Sequence, residues 1–392
     1  MEKSIKLTEK FKFSHGIIEC LKSVYKQDLE TVLDSMKAPG PKYYFRINTL
    51  KESRNEIIRS IRKNGMEASE EPKIEEGLYF PVKGPFAVDF PSNKIKVDKF
   101  TSESAMIGAD VYAPGIIKCS GIRLGNKVKI VDPYDQPVAT GIVRMGENEI
   151  LSLRRGLAVE NTSSIYRVPK LRESKHFKEG LIYMQSLPSI LTSKILDPNP
   201  DDIIIDLTCS PGGKLSHISQ LMENNGKIIA VDRNERKISI TRDTINRLGC
   251  NNIELLIHDS RYFHLDFPKI KADKCIVDPP CSALGITPKL YDFSPKNKIL
   301  ALAKYQKQFL KTASKTVKKG GLIVYSVCTV TLEECEEVVQ FAVDNCDLEV
   351  TEQKMYIGSR GIPLENIPFK NLQRFHPHKH GAGFFIACFK KD

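Results

Sequence analysis

Two cysteines follow short hydrophobic segments and could act as nucleophiles. Cys281 lies in the motif VDPPCS, and Cys328 lies in VYSVCTV. A cysteine attacks an electrophile as its thiolate, which a nearby cation, base or hydrogen-bond donor favours. A single buried cysteine is usually a packing residue, but two at corresponding positions favour a functional pair. The ten cysteines include no C-x-x-C pair, so the pattern predicts no metal site.

Acidic residues follow hydrophobic segments in the same half of the chain. Asp232 lies in IIAVDRN, Asp259 in LLIHDSR and Asp278 in VDPPCS. One such aspartate is more often a turn residue or a helix cap. Several in succession can bind a ribose diol and an adenine amino group. Because no G-x-x-x-x-G-K-[ST] phosphate loop is present, the pattern favours an adenosyl cofactor over a nucleoside triphosphate.

A glycine-containing turn, DLTCSPGGK, precedes these motifs at residues 206–214. Gly212 and Gly213 would let the backbone approach a ligand closely, and the helix that follows would offer free N–H groups. Taken alone, the same residues could form an ordinary turn between a strand and a helix.

The segments that carry these motifs alternate between strand and helix patterns. Such alternation predicts an α/β fold with a doubly wound, mostly parallel sheet of the Rossmann-like type. Ligands of such sheets bind at the carboxyl ends of the strands, so the cysteines and aspartates should meet at one edge. The predicted strands are 203–207, 227–232, 253–258, 274–278, 321–326 and 384–390, and the predicted helices are 214–224, 235–248, 298–317 and 333–345.

The first half of the chain has a different texture. Residues 1–38 have helical periodicity, and KYYFRINTL and SRNEIIRSIRKNG then predict a strand and a helix. Short apolar segments separated by turns over 97–170 predict a small β-barrel. We therefore expect three domains: an α+β unit at 1–96, the barrel at 97–170 and the α/β domain at 171–392.

The composition suggests a nucleic-acid partner. The 392 residues carry a net charge of +11, spread along the chain, and a diffuse basic surface suits phosphate contacts. No apolar run of 18 residues suggests a membrane span. The start, MEKSIKLTEKFKF, lacks the apolar core of a signal peptide, so we expect a cytoplasmic location.

A thiol pair beside an adenosyl sulfonium fits the methylation of cytosine at C5. C5 of cytosine is a poor nucleophile, but addition of a thiolate at C6 converts it into an enamine-like carbon that can accept a methyl group. A base must then remove the C5 proton so that the thiolate can leave. A carboxylate such as Asp278 can bind the N3/N4 edge of the base, which must be extruded or unpaired.

Several motifs resemble one family of enzymes. DLTCSPGGK, VDRNERK, HDSR, DPPCS, YSVCT and GFFIA resemble the NOP/SUN-domain RNA cytosine-5 methyltransferases. RINTLK at 46–51 looks like the small RNA-binding subdomain of that family, and GADVYAPGII at 108–117 is similar to part of a PUA domain. An inserted PUA domain is typical of a branch that methylates a cytosine near the 3′ end of the tRNA acceptor stem.

The resemblance implies roles for particular residues. Cys328 matches the nucleophile, and Cys281 matches the cysteine associated with product release. Asp278 and Lys214 match positions that contact the target cytosine. Leu215, Cys335 and Ala382 depart from residues common in the family. The positions that match S-adenosylmethionine contacts are Thr208, Cys209, Ser210, Pro211, Gly212, Gly213, Lys214, Asp232, Asp259 and Asp278.

The resemblance implies a monomeric tRNA methyltransferase that contacts the acceptor stem and the CCA end. Methylation of rRNA and a non-catalytic role as an RNA-binding assembly factor are the alternatives. A DNA cytosine methyltransferase would use Cys281 as the nucleophile and would not need Cys328. Adenine methylation is disfavoured because DPPC offers no aromatic ring after the prolines.

Overall fold

The computed structural model describes residues 2–392, which form an N-terminal α+β unit, a small β domain and an α/β domain. Three helices, α1 to α3, precede a four-stranded sheet with the strand order β10-β1-β3-β2. Strand β10, Ile182–Met184, lies after the β domain in sequence and pairs antiparallel with β1. The other elements are α1 Glu2–Phe11, α2 His15–Tyr25, α3 Leu29–Met36, β1 Lys42–Ile47, α4 Arg54–Lys63, β2 Ser69–Glu70 and β3 Gly77–Pro81.

The β domain is an open, mixed sheet of six strands in the order β5-β9-β8-β7-β4-β6. Its first strand, β4, covers Lys94–Val97 and pairs with β6 and β7. The apolar sides of the strands and of α5 share one hydrophobic core. The remaining elements are α5 Lys99–Ala105, β5 Val111–Tyr112, β6 Ile116–Lys118, β7 Lys127–Val131, β8 Pro137–Val143, α6 Glu147–Leu153 and β9 Leu157–Ser164.

The α/β domain contains the predicted sheet of mostly parallel strands. The strand order β13-β12-β11-β14-β15-β19-β18-β17 is parallel from β13 to β15, and β19 joins antiparallel beside β15. Its strands are β11 Ile203–Asp206, β12 Lys227–Asp232, β13 Ile253–Ile257, β14 Ala272–Val277, β15 Val317–Val327, β16 Leu348–Val350, β17 Ser359–Arg360, β18 Gln373–Phe375 and β19 Phe384–Lys391.

Helices cover both faces of this sheet, because its strands are apolar on both sides. One core packs the sheet against α12 and α13, and a second core packs the opposite face against α8, α9 and α10. The helices are α7 Lys175–Lys178, α8 Leu187–Leu196, α9 Gly213–Leu221, α10 Glu235–Leu248, α11 Phe263–Asp266, α12 Lys296–Thr316, α13 Glu336–Asn345 and α14 Pro377–His380.

Buried polar contacts join the N-terminal unit to the α/β domain. The Arg46 guanidinium of β1 is 1% exposed and donates to Gln185, Ser216 and Gln220. Burial lowers the pKa of Arg46 to about 10, but the three hydrogen bonds compensate for the lost water. The small sheet is therefore fixed against α9, which begins at the glycine turn.

The six predicted strands of the α/β domain are present, and its fold class is confirmed. Two helices are shorter than predicted: α9 ends at Leu221 rather than at 224, and α13 begins at Glu336 rather than at 333. Glu334 turns inward before the helix and accepts hydrogen bonds from Ser282, Gln306, Thr329 and Thr331. A buried network therefore holds this carboxylate ahead of the first turn of the helix.

The segment RFHPHKHG at 374–381 contains three histidines and includes a short helical turn, Pro377–His380. The His376 ring nitrogen Nδ1 lies 3.1 Å from the Tyr25 hydroxyl, and His380 Nδ1 accepts from the His376 backbone N–H. Leu215 and Cys335, which depart from the residues common in the family, are fully buried in hydrophobic cores. Over residues 2–392, none of the helices is long and apolar enough to cross a membrane.

We expect loss of the buried ion pair between Glu336 and Arg374 to destabilise the α/β domain strongly. Both side chains are at most 1% exposed, and the Arg374 guanidinium also donates to the backbone carbonyl oxygens of Val330 and Thr331. Glu336→Ala would leave a buried cation without its counter-ion and should lower the free energy of unfolding by about 3–5 kcal/mol. Urea denaturation measures this change.

The exposed pair of Lys227 and Glu254 provides a matched control. Glu254→Ala should change the free energy of unfolding by less than about 1 kcal/mol. Glu336→Leu combined with Arg374→Met should recover most of the loss, because apolar residues can replace a buried ion pair. Equal effects of Glu336→Ala and Glu254→Ala would contradict this account of the core.

Candidate active site

The glycine turn connects β11 to α9 at the edge of the sheet where the parallel strands end. Gly212 has a φ of +99°, which disfavours a side chain, and a Cβ on Gly213 would lie 2.9 Å from the Tyr183 ring. The Thr208 backbone N–H donates to Asp206, and the Asp278 backbone N–H donates to Thr208 Oγ1. These contacts hold the turn against the end of β14.

A cleft of about 290 Å³ lies beside this turn. The aspartates predicted from the strand ends meet there, because β12, β13 and β14 all end at this edge. Asp232 accepts a hydrogen bond from the Asn234 backbone N–H, and Arg261 pairs with Asp259 at 2.5 Å. Among the residues that line the cleft are Thr208, Ser210, Asp232, Asp259, Asp278 and Tyr305.

The groups in the cleft fit an adenosyl cofactor. Carboxylates at the ends of neighbouring strands can accept hydrogen bonds from ribose hydroxyls and from an adenine amino group. The hydrogen bond from Arg261 lowers the pKa of Asp259, so this carboxylate stays ionised. The Tyr305 and Phe309 rings and Pro280 supply apolar contacts. Asp232, Asp259 and the 208–214 turn could therefore hold such a cofactor.

Cys281 and Cys328 lie together at one end of the cleft. They follow β14 and β15, which are parallel neighbours in the sheet. Their sulfur atoms are 3.3 Å apart, and both thiols are partly exposed whereas the other eight free cysteines are buried. The structure thus brings the predicted pair into contact on the cofactor side of the sheet.

The two thiols of this pair differ in acidity. The hydrogen bond from the Cys281 thiol lowers the pKa of Cys328, although burial and Asp278 oppose this effect. The same contact and burial raise the pKa of Cys281 well above its usual value. Lys214 and Lys289 favour the Cys328 thiolate further. The proton therefore remains on Cys281 and the negative charge forms on Cys328.

Asp278 and Lys214 form a charged pair next to the Cys328 sulfur. The Lys214 ammonium lies 2.5 Å from Asp278 Oδ2, and the Ser326 hydroxyl donates to Oδ1 at 2.8 Å. A second cavity of about 240 Å³ is lined by both charged residues and by Tyr183. The pair offers an acceptor and a donor to a polar ring held between the thiols and the cofactor cleft.

The sequence did not indicate that Glu334 binds the residues that follow the two cysteines. Glu334 is fully buried and accepts from both the backbone N–H and the hydroxyl of Ser282, which follows Cys281. Burial raises the pKa of Glu334. Thr329, which follows Cys328, donates to the same carboxylate. Glu334 thus ties the two cysteine segments together, a contact between residues about 50 positions apart that strand periodicity could not reveal.

The chain matches two protein families. The family described as 16S rRNA methyltransferase RsmB/F matches residues 193–390, and the PUA domain family matches residues 93–165. A curated relative, the tRNA (cytosine(72)-C(5))-methyltransferase of Pyrococcus horikoshii, is 40% identical over 97% of both chains. The human tRNA (cytosine(72)-C(5))-methyltransferase NSUN6 is 27% identical over 93% of this chain and 92% of its own.

A solved structure, NSun6 from Pyrococcus horikoshii with SFG, superposes with a TM-score of 0.88. It covers 97% of this chain and 98% of its own chain at 40% identity. The fold and the thiol pair therefore define an S-adenosylmethionine-dependent methyltransferase that carries a PUA domain. The chain belongs to the RsmB/F family, the NOP/SUN group of RNA cytosine-C5 methyltransferases.

Removal of the hydrogen bond from Cys281 should make Cys328 less acidic. In Cys281→Ala the thiolate of Cys328 loses its donor, so its pKa should rise and its alkylation by iodoacetamide should begin at higher pH. The pH dependence of alkylation at Cys328, measured by peptide mass spectrometry, tests this shift.

Cys281→Ser is the matched control, because a serine hydroxyl can still donate. We expect the pH dependence of Cys328 alkylation in Cys281→Ser to lie closer to that of the protein without substitutions than the pH dependence in Cys281→Ala does. If alkylation of Cys328 in Cys281→Ala began at the same pH as in the protein without substitutions, or at a lower pH, Cys281 would not stabilise the Cys328 thiolate.

Proposed function

We propose that this protein methylates C5 of a cytidine near the 3′ end of the tRNA acceptor stem, at position 72. The observation that carries this proposal is the 40% identity to the Pyrococcus horikoshii enzyme over 97% of both chains, which includes the PUA domain. The rRNA enzymes match less well: the human 28S rRNA (cytosine(4447)-C(5))-methyltransferase matches 61% of this chain at 32% identity, and the Arabidopsis thaliana rRNA (cytosine-C(5))-methyltransferase NOP2C matches 91% at 22% identity.

The reaction begins with the Cys328 thiolate. Its sulfur attacks C6 of the extruded cytosine, which makes C5 nucleophilic. Asp278 accepts a hydrogen bond from the polar edge of the ring and Lys214 donates one to it. The hydrogen bond from Lys214 strengthens as electrons move into the ring and the adduct forms. The bound S-adenosylmethionine supplies the methyl group that C5 accepts.

Product release requires the reverse of the first step. A base accepts the C5 proton, and the electrons of the C5–H bond form the C5–C6 double bond while the bond from C6 to Cys328 breaks. The leaving sulfur departs as a thiolate, and the Cys281 thiol 3.3 Å away can donate to it. Cys281 therefore promotes release by stabilising the same thiolate that it stabilises before attack.

The cofactor assignments follow from the cleft. We assign Asp232 to the ribose hydroxyls and Asp259 to the adenine amino group. The turn formed by Thr208, Cys209, Ser210, Pro211, Gly212, Gly213 and Lys214 surrounds the methionine portion. Asp278 lies between this turn and the thiols and contributes to both subsites. In this scheme the reacting groups need no metal ion.

We propose that the chain acts as a cytoplasmic monomer built from three units, which the sequence predicted at 1–96, 97–170 and 171–392. Strand β4 begins at Lys94, so the boundary of the PUA unit lies a few residues before 97. The N-terminal unit and the PUA unit hold the acceptor stem and the CCA end. The Arg154 guanidinium is not freely available for this purpose, because it donates to the carbonyl oxygens of Pro114 and Ile116.

Methyl transfer to a tRNA transcript tests the substrate. The protein should place the methyl group on the cytidine at position 72, and a transcript with uridine there should accept none. Cys328→Ala should lower the rate by at least about 10³-fold, because the covalent route is lost. Transfer of the methyl group from S-adenosylmethionine to the transcript, followed by mapping of the modified base, measures both results. Methylation of rRNA but not of tRNA would favour the alternative function, rRNA cytosine-C5 methylation.

Cys281→Ala should form the covalent adduct with RNA but release it slowly. We expect a protein–RNA species that survives denaturing electrophoresis, since the leaving thiolate lacks its donor. The Cys328→Ala and Cys281→Ala double variant should form none. A Cys281→Ala protein that turns over at the normal rate without accumulating the adduct would contradict the role in release.

A further inference from the structure

Lys289 is a buried lysine in the segment that follows Cys281. Its side chain is only 5% exposed, and its backbone N–H donates to the carbonyl oxygen of Met36 at 2.7 Å. Gly285 in the same segment donates from its backbone N–H to the carbonyl oxygen of Cys328 at 3.0 Å. The segment therefore connects the end of α3 to the strand end that carries the nucleophile.

The segment also reaches the PUA unit. The next residue, Leu290, packs in the core of that unit, and its backbone N–H donates to Glu103 of α5 at 2.9 Å. Lys289 thus lies where the N-terminal helices, the PUA unit and the catalytic edge of the sheet meet. An RNA end that reaches Cys328 from the PUA unit would pass this junction.

Most charged groups around Lys289 have partners of their own. Lys99 pairs with Asp292 at 3.1 Å, and the Lys37 ammonium donates to the Leu290 carbonyl oxygen at 2.6 Å. Among residues 2–392, no carboxylate oxygen lies within 4.0 Å of the Lys289 ammonium and no hydrogen bond satisfies it.

An ammonium on a mostly buried side chain is unfavourable when no counter-ion pairs with it. Burial lowers the pKa of Lys289, and the nearby Lys99 lowers it further, whereas Glu103, Asp292 and Cys328 oppose this change. An anion bound at the ammonium would remove this cost. A charged group with no counter-ion on a mostly buried side chain is a candidate for a binding or catalytic role.

We propose that Lys289 binds a backbone phosphate next to the target nucleotide. This inference rests on the proposed function, in which a pyrimidine enters beside Cys328. When a nucleotide is extruded, the phosphates on its two sides must cross the rim of the pocket. The Lys289 ammonium, on the segment that contacts the Cys328 carbonyl oxygen through Gly285, can supply a charge-assisted hydrogen bond to a phosphate oxygen. Lys289 is thus a further substrate-binding residue, contributed by a segment outside the cofactor motifs.

Lys289→Met tests this contact. Steady-state methylation of the tRNA transcript should show kcat/KM reduced by about 10- to 100-fold, mainly through KM, because the contact forms before and during the reaction. The plot of log kcat/KM against log salt concentration should become shallower by about 0.7 to 0.9. Lys289→Arg, which retains the charge, should keep most of the salt dependence.

Lys227→Met is the matched control. Lys227 is exposed and begins β12, at the opposite edge of the sheet from the cysteines. Its replacement removes one positive charge and should change neither KM nor the salt dependence. Lys289→Met should also unfold at the same or a higher temperature, since an apolar side chain replaces an unpaired buried charge.

Replacing a phosphate by an uncharged analogue tests which phosphate contacts Lys289. Methylphosphonate is placed at the phosphate 5′ or 3′ of the target cytidine. At one of these positions, methylphosphonate should lower kcat/KM of the protein without substitutions by the same factor as Lys289→Met does. The same methylphosphonate should not lower kcat/KM of Lys289→Met any further. The proposal would be overturned if the losses from Lys289→Met and from methylphosphonate multiplied at both positions. It would also be overturned if Lys289→Met left the salt dependence of kcat/KM unchanged. An altered pH profile of Cys328 alkylation with no change in KM would assign Lys289 to the thiolate alone and would also overturn it.

The proposed substrate can fail separately. If the unmodified protein binds the transcript without methylating it, the proposed function is wrong. The effects of Lys289→Met and methylphosphonate are then read from equilibrium binding as a function of salt concentration. Equal salt dependence of binding in Lys289→Met and the unmodified protein would overturn the phosphate contact.

Discussion

The hydrogen bond between two thiols is the interaction on which the site depends. Two identical side chains 3.3 Å apart cannot both ionise easily, so the proton that they share defines two different roles. Charge forms on Cys328, which faces Lys214 and Asp278, and the proton remains on Cys281, which lies beside the buried Glu334. One residue is therefore ready to attack, and the other is ready to assist the sulfur when it leaves.

The fold maintains this difference through contacts on both sides of the pair. Parallel strands β14 and β15 bring the two cysteines to one edge, and Glu334 binds the residues that follow each of them. The segment after Cys281 then packs against both the N-terminal helices and the PUA unit: Leu284 lies in the core of the helices and Leu290 in the core of the PUA unit. The units that we assign to RNA binding are thus packed against the segment that follows Cys281.

Sequence patterns predicted the parts of this arrangement that local rules determine. Alternating strands and helices gave the sheet, and the sheet placed Asp232, Asp259 and Cys328 at one edge. Patterns could not reveal which thiol holds the proton, since that depends on charges around each sulfur. They also missed Lys289, because its burial results from packing between three units that are distant in sequence. They likewise did not predict the helical turn at Pro377–His380, whose preceding residue His376 contacts Tyr25.

The most direct test of the central claim is the identity of the cysteine that bonds to RNA. A tRNA transcript with 5-fluorocytidine at the target position should trap the adduct, since fluorine at C5 prevents the elimination that releases the enzyme. Protease digestion and mass spectrometry of the trapped complex should then show the nucleotide on the peptide that contains Cys328. A nucleotide attached to Cys281, or a methylated product without any trapped adduct, would contradict the assignment of the thiolate to Cys328.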